Sequence, residues 1–267
     1  MKTDTIEKAR FNVFNLPVQS GVCSTHGEFE SINISGDTWS GCPECADDAE
    51  KKEHKERQER LKIEYEEREA RDRRDEWHSK LKRCGIPERF KERTLDSFIA
   101  SSDKQRDALE FANDYALNFS KTPGRCAMFV GTPGTGKTHL SVGVGLHLMR
   151  EGRPVLFCTA IRALRRIKAS WGKGAEETEI EAVASLVFPH LLILDEVGVQ
   201  FGSEAEKILL FDVMNERYES RKSTILISNL TIPEVKEYLG ERIFDRMRED
   251  GGRFLSFDWE SYRGKNA

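Results

Sequence analysis

Gly131-Thr132-Pro133-Gly134-Thr135-Gly136-Lys137-Thr138 fits the phosphate-loop pattern of a glycine, four residues, then Gly-Lys and a hydroxyl side chain. An apolar run, Cys126 to Val130, precedes it and reads as a buried strand. After it, Thr138 to Arg150 carries Leu140, Val144 and Leu148 at helical spacing. Glycines let the backbone turn its N–H groups onto a phosphate at a helix N-terminus, where the helix dipole also favours negative charge. Lys137 is expected to reach the β- and γ-phosphates of a nucleoside triphosphate, and Thr138 to place its hydroxyl on Mg²⁺. A glycine-rich turn that binds nothing is the alternative, and the strand before, helix after, Lys137 and Thr138 together argue against it.

Further along, Leu191-Leu192-Ile193-Leu194 is an apolar strand that ends in Asp195-Glu196. Nucleotide sites in open α/β sheets lie at the carboxyl ends of the strands, so these acids should emerge beside the phosphate loop. Asp195 is placed to hold Mg²⁺ through water, and Glu196 to orient and polarise the water attacking the γ-phosphate. That pair favours hydrolysis over phosphoryl transfer to a metabolite. Ser228-Asn229 ends the next predicted strand, where the amide of Asn229 can bond the water or the γ-phosphate. Arg242 and Arg246 lie four apart on one helix face. Such arginines commonly form surface ion pairs; here they are also candidates for a finger delivered to a neighbouring subunit's γ-phosphate.

Strands at Pro154–Cys158, Leu191–Leu194, Thr224–Ser228 and Arg253–Phe257 alternate with helical stretches at Asp103–Ser120, Ile161–Trp171, Glu176–Phe188, Glu204–Glu219, Pro233–Leu239 and Glu241–Glu249. That alternation predicts an α/β fold, a parallel sheet with helices on both faces.

The N-terminal part has a different character. Cys23-x-x-His26 is followed, after fifteen residues, by Cys42-x-x-Cys45. Two short pairs of this kind are how tetrahedral Zn²⁺ is held, here by three thiolates and one imidazole. Glu28 to Trp39 between them reads as a short hairpin, too small to fold without a metal. From Asp47 to Lys82, 25 of 36 residues are charged, with no Gly or Pro and opposite charges at helical spacing, as in Glu53-Arg57 and Glu67-Arg71. This predicts a solvated spacer helix on the order of 50 Å long. Arg83-Cys84-Gly85-Ile86-Pro87 ends it. Residues 1–46 are therefore assigned to a zinc-binding module, 47–83 to a charged linker and 84–267 to the nucleotide domain.

The whole chain has 267 residues, 38% hydrophobic and 33% charged, with a net charge of −4. No run is long and apolar enough to span a bilayer, and no membrane contact is expected; a cytoplasmic location is. The mild negative balance excludes a global basic field, so any nucleic-acid contact must be local or shared between copies. Six cysteines point to metal or free thiols, with Cys84, Cys126 and Cys158 expected to be ordinary packed residues.

With these motifs in hand the chain resembles the AAA+ ATPases, and within them the DnaC-type loaders of the bacterial replicative helicase. The resemblance covers about Ile86 to Arg263 and rests on Asp195-Glu196-Val197-Gly198-Val199-Gln200, Leu239-Gly240-Glu241-Arg242, Asp245-Arg246-Met247-Arg248 and Trp259-Glu260-Ser261-Tyr262-Arg263. It implies a parallel five-stranded sheet. It implies Lys137 and Thr138 as the Walker A pair and Asp195 and Glu196 as the Walker B pair. Asn229 is then sensor 1, Arg246 the arginine finger with Arg242 beside it, and Arg263 sensor 2. ATP, Mg²⁺, a spiral homo-oligomer with ATP at its junctions, single-stranded DNA and a hexameric helicase are the implied ligands and partners. The N-terminal half departs from the familiar loader and resembles a prophage-encoded variant, which suggests that the zinc module is a different helicase-docking element. Acidic residues around it (Glu28, Glu30, Asp37, Glu44, Asp47, Asp48) favour a protein over a DNA partner. Trp171, between Lys168 and Lys173, is a candidate platform for single-stranded DNA, with a core or interface tryptophan as the alternative. Two other functions compete: an IstB-like transposition helper ATPase acting on duplex DNA, and a zinc adaptor that binds nucleotide without turnover.

Overall fold

The computed structural model describes residues 16–198 and 203–263 and divides into two units, Met1–Asp75 and Glu76–Ala267. Val199 and Gln200, part of the motif after Asp195, lie outside the described residues.

In the first unit β1 (Val18–Cys23), β2 (Gly27–Ser35) and β3 (Thr38–Trp39) form an antiparallel sheet in that order. The expected hairpin is present as β2 and β3. β1 was not expected, because Gln19, Ser20 and Gly21 give it little apolar character; its pairing runs from Val18↔Ile32 to Cys23↔Gly27. Ser31 and Cys42 are buried. Helix α1 (Pro43–Arg83) follows, 41 residues and therefore about 60 Å long. It starts four residues before the predicted charged run, with Pro43 in its favoured first position, so Cys42 and Cys45 sit at a helix N-terminus.

The second unit contains β4 (Ala127–Gly131), β5 (Val155–Thr159), β6 (Leu191–Asp195), β7 (Ser223–Ser228) and β8 (Arg253–Phe257). All pair in parallel in the order β5-β6-β7-β4-β8, as predicted for five strands. Alternate residues face opposite layers. Ala127 and Phe129 of β4, with Leu191 and Ile193 of β6, pack under α2 (Asp103–Leu117) and α3 (Lys137–Arg150). Met128, Val130, Leu192 and Leu194 pack under the opposite layer. That layer holds α4 (Ala160–Ala169), α5 (Glu179–Val187), α6 (Glu204–Glu219), α7 (Ile232–Leu239) and α8 (Glu241–Arg246). Near-continuous apolar strands are what burial on both faces requires.

Helix ends differ from the periodicity reading where local capping decides. Helix α5 begins at Glu179, not Glu176, because Thr178 and Glu181 form a reciprocal capping box. Helix α2 stops at Leu117, and residues Phe119–Lys121 tighten into a 3₁₀ turn. Helix α8 ends at Arg246 instead of continuing to Glu249.

Arg217 on α6 is fully buried and holds the second layer together. It donates to the carbonyls of Leu186, Val187, Pro189 and Ser223 and to Oγ1 of Thr224. Two of those carbonyls are at the end of α5, whose last C=O groups would otherwise lack partners. Burial lowers the guanidinium to about 10, so it stays charged at neutral pH.

Candidate nucleotide site and metal cluster

The phosphate loop leaves the end of β4 and runs into α3, whose first helical residue is Lys137. Gly136 caps that helix at φ +96°, and a side chain there would begin 2.6 Å from the Phe98 ring. Only glycine satisfies both conditions. Lys137 is 5% exposed, and its Nζ donates to the carbonyls of Gly131 (2.7 Å) and Thr132 (2.8 Å). Burial lowers this amine to about 8. Thr138 Oγ1 donates to Asp195 Oδ2 at 3.0 Å, while Asp195 Oδ1 accepts the Glu196 N–H at 2.8 Å. Burial pushes the Asp195 carboxyl above its ordinary range. A hydroxyl and a carboxylate in contact at a phosphate loop are the donor set that Mg²⁺ takes in this class of site. A cavity of about 580 Å³ opens here, and Lys137, Thr138, Asp195, Glu196, Asn229 and Arg263 all line it. That volume suits a nucleotide.

In the first unit, Sγ of Cys23, Cys42 and Cys45 and a ring nitrogen of His26 lie within 4.8 Å of one another. Cys23 and Cys45 are 3.5 Å apart, and His26 Nδ1 is 3.7, 3.7 and 3.3 Å from Cys23, Cys42 and Cys45. Metal–ligand bonds of about 2.0–2.3 Å in a tetrahedron put ligand atoms about 3.5–3.8 Å apart, so the four fit one zinc ion. His26 Nε2 is 3.1 Å from Asp48 Oδ2, the outer carboxylate that commonly orients a ligating imidazole. Backbone N–H groups, first that of Thr25, pull the Cys23 thiol down, and its hydrogen bond to Cys45 pushes that thiol up. Cys23 and Cys45 therefore resist losing both protons together unless a cation sits between them.

A sequence profile of the IstB-like ATP binding protein family matches residues 42–267. The chain belongs to that family. Among its relatives, the Replicative helicase loader DnaC of Buchnera aphidicola subsp. Acyrthosiphon pisum is 34% identical over 183 residues, 68% of this chain and 74% of that protein. The protein of the same name from Escherichia coli K12 is 30% identical over 185 residues, with 68% and 74% covered. A crystal structure of the DnaC helicase loader superposes with a TM-score of 0.57 at 24% identity, covering 64% of this chain and 99% of that one. The replication initiator DnaA bound to AMPPCP and single-stranded DNA gives 0.56 at 24%, covering 66% and 52%. At that identity both likenesses concern the fold, which is of the AAA+ kind. Cys23 and His26 precede the residues that match the IstB-like family, whereas Cys42 and Cys45 fall within them.

Pro133 to Thr138, Asp195, Glu196, Asn229 and Arg263 thus line one cavity at the carboxyl edge of the sheet. Gly131 and Thr132 lie at the base of the loop, where their carbonyls accept from Lys137. Arg242 and Arg246 do not line this cavity. Arg246 is half-buried on α8, donates to Asn215 Oδ1 and stacks over the Tyr218 ring at 4.5 Å; Arg242 is exposed, 5.8 Å from the Phe211 ring. Trp171 is 55% exposed, so it is not a core residue; its Nε1 donates to Glu179 at 2.7 Å. Lys168 beside it pairs with Glu206 at 2.7 Å.

Several site residues escaped the sequence reading. Pro87, Arg89, Phe90, Arg93 and Phe98 form another wall of the cavity, from a segment with no local signature. The C-terminal Trp259-Glu260-Ser261-Tyr262-Arg263 motif has a visible task, since it straps the phosphate loop. Trp259 Nε1 donates to the Thr135 carbonyl at 2.9 Å, and the Tyr262 N–H to that of Gly134 at 2.9 Å. Among the described residues, no helix is long and apolar enough to cross a membrane.

Proposed function

We propose that this chain is an ATP-driven loader that places the replicative hexameric helicase on single-stranded DNA in the cytoplasm. One observation carries the reading. Lys137, Thr138, Asp195, Glu196, Asn229 and Arg263, the residue types that handle a triphosphate, line one cavity in a chain with relatives, at 30–34% identity, named replicative helicase loaders. Lys137 would bind the β- and γ-phosphates, and Thr138 and Asp195 would hold Mg²⁺, which supplies charge neutralisation there. Glu196 takes a proton from the attacking water, Asn229 orients that water and Arg263 engages the γ-phosphate. Arg246, with Arg242 beside it, acts on the ATP of a neighbouring copy, which makes the active form a spiral homo-oligomer. Residues 1–46 form the helicase-docking module, in which Cys23, His26, Cys42 and Cys45 hold Zn²⁺. Residues 47–83 space it from the ATPase domain, 84–267. Trp171 offers its exposed ring face to a base.

The test combines the chain with its host's replicative helicase, ATP and single-stranded DNA, and follows ATP turnover and helicase loading. Glu196→Gln should abolish turnover and leave ATP binding intact. No turnover by the unaltered chain with both partners present would favour the non-hydrolysing zinc adaptor. The family description itself supports a second reading, an IstB-like transposition helper. Preference for duplex over single-stranded DNA, without helicase binding, would select it.

A further inference from the structure

Glu196 and Asn229 follow neighbouring strands, β6 and β7, and one hydroxyl ties the two loops that carry them. Ser228, the last residue of β7, is 1% exposed. Its Oγ donates to the Val197 carbonyl at 2.6 Å and accepts from the Leu230 N–H at 3.1 Å. The last register pair between β6 and β7 joins Leu194 to Leu226. Past that point the Ser228 bonds, with Val197 N–H to the Ile227 carbonyl at 2.9 Å, carry the connection onward. Gly198 closes the same junction, where a side chain would begin 2.4 Å from Leu230 Cδ1. Glu196 itself has φ +60°, a left-handed backbone that a glutamate keeps only where its surroundings impose it.

We propose that Ser228 is a positioning residue for ATP hydrolysis, fastening Glu196 and Asn229 into one unit so that carboxylate and amide address the same water. It rests on the assignment of Glu196 as the base. Ser228 is not among the residues lining the cavity, and its hydroxyl acts through Val197 on one side and Leu230 on the other. Polarising a water demands that both groups be held to a fraction of an ångström, whereas binding the triphosphate depends on Lys137 and the loop amides.

Replacing Ser228 therefore separates kcat from binding. In Ser228→Ala, kcat should fall on the order of ten- to a hundredfold while the dissociation constant for ATP moves by less than about twofold. Ser228→Thr keeps the hydroxyl and should restore most of the rate. Ser228→Cys, which preserves volume with a weaker donor, should lie between them. Losses from Ser228→Ala and Glu196→Gln should not multiply in the double variant, because one acts through the other. Thermal midpoints accompany each measurement, and Ser228→Cys stands in if Ser228→Ala is unfolded at the assay temperature. Undiminished kcat in a folded Ser228→Ala, or equal impairment of the threonine and alanine variants, would overturn the proposal. A wild-type chain without turnover, indifferent to Glu196→Gln, would instead overturn the hydrolysis reading beneath it.

Discussion

Raising the pH above neutrality should weaken ATP binding through Lys137. This amine is 5% exposed, hydrogen-bonded to two carbonyls, and lowered by burial to about 8. A triphosphate brings opposite charge to Nζ and returns the amine to the ordinary lysine range. Binding then requires the protonated form, whose share of the free chain is about one half at pH 8 and about one tenth at pH 9. The dissociation constant should rise about twofold at pH 8 and about tenfold at pH 9 relative to pH 7. Terminal phosphate ionisation, near 6, is complete above that range and adds no slope. The effect on stability has the opposite sign. Because the folded amine is depressed below its ordinary 10.5, the unfolded chain binds more protons between about 8 and 10.5, and folding gains stability as pH rises through that window. Calorimetric titration of ATP into the Glu196→Gln chain at constant ionic strength reads the affinity without turnover. Lys137→Arg, which does not titrate here, should bind more weakly but with a flat profile. A dissociation constant unchanged within about twofold from pH 7 to 9 would refute the reasoning.

Two other perturbations test other parts of the chain. Cys42→Ser with Cys45→Ser, or treatment with a strong chelator, should remove one zinc per chain by elemental analysis and abolish helicase pull-down, with ATP affinity of the nucleotide domain unchanged; retained helicase binding would detach the module from docking. Arg217→Met leaves four buried carbonyls and a hydroxyl without their donor, which should cost about 3–5 kcal/mol and lower the thermal midpoint by about 10 °C; a shift below about 3 °C would show that water or neighbouring donors replace the guanidinium.

The legible part of the site was its local part. Gly131 to Thr138 is one unbroken turn between a strand and a helix, so spacing alone states its geometry. The apolar run ending in Asp195-Glu196 likewise places its acids, because the carboxyl ends of parallel strands share one edge of the sheet. The Cys and His pairs fall within 4.8 Å as their spacing foretold. Residues whose partners are remote were not legible. Trp259 meets Thr135 across 124 positions, and His26 meets Asp48 across 22. Arg217 reads in sequence as one more charge on a helix, yet it donates to five oxygens from two remote segments, 186–189 and 223–224.

By itself the sequence determined the strand–helix alternation, the phosphate-loop pattern, its acidic counterpart and the Cys/His pairs. Each is a pattern whose physics lies within a few consecutive residues: a repeat period, a turn, a charge at a strand end. Tertiary structure decided which side chains converge. It brought Arg263 to the cavity, strapped the phosphate loop with Trp259, stacked Arg246 on Tyr218 away from that cavity, and bonded Ser228 to Val197 and Leu230. Those contacts arise from how the strands are ordered across the sheet, and neighbours in that order are far apart along the chain.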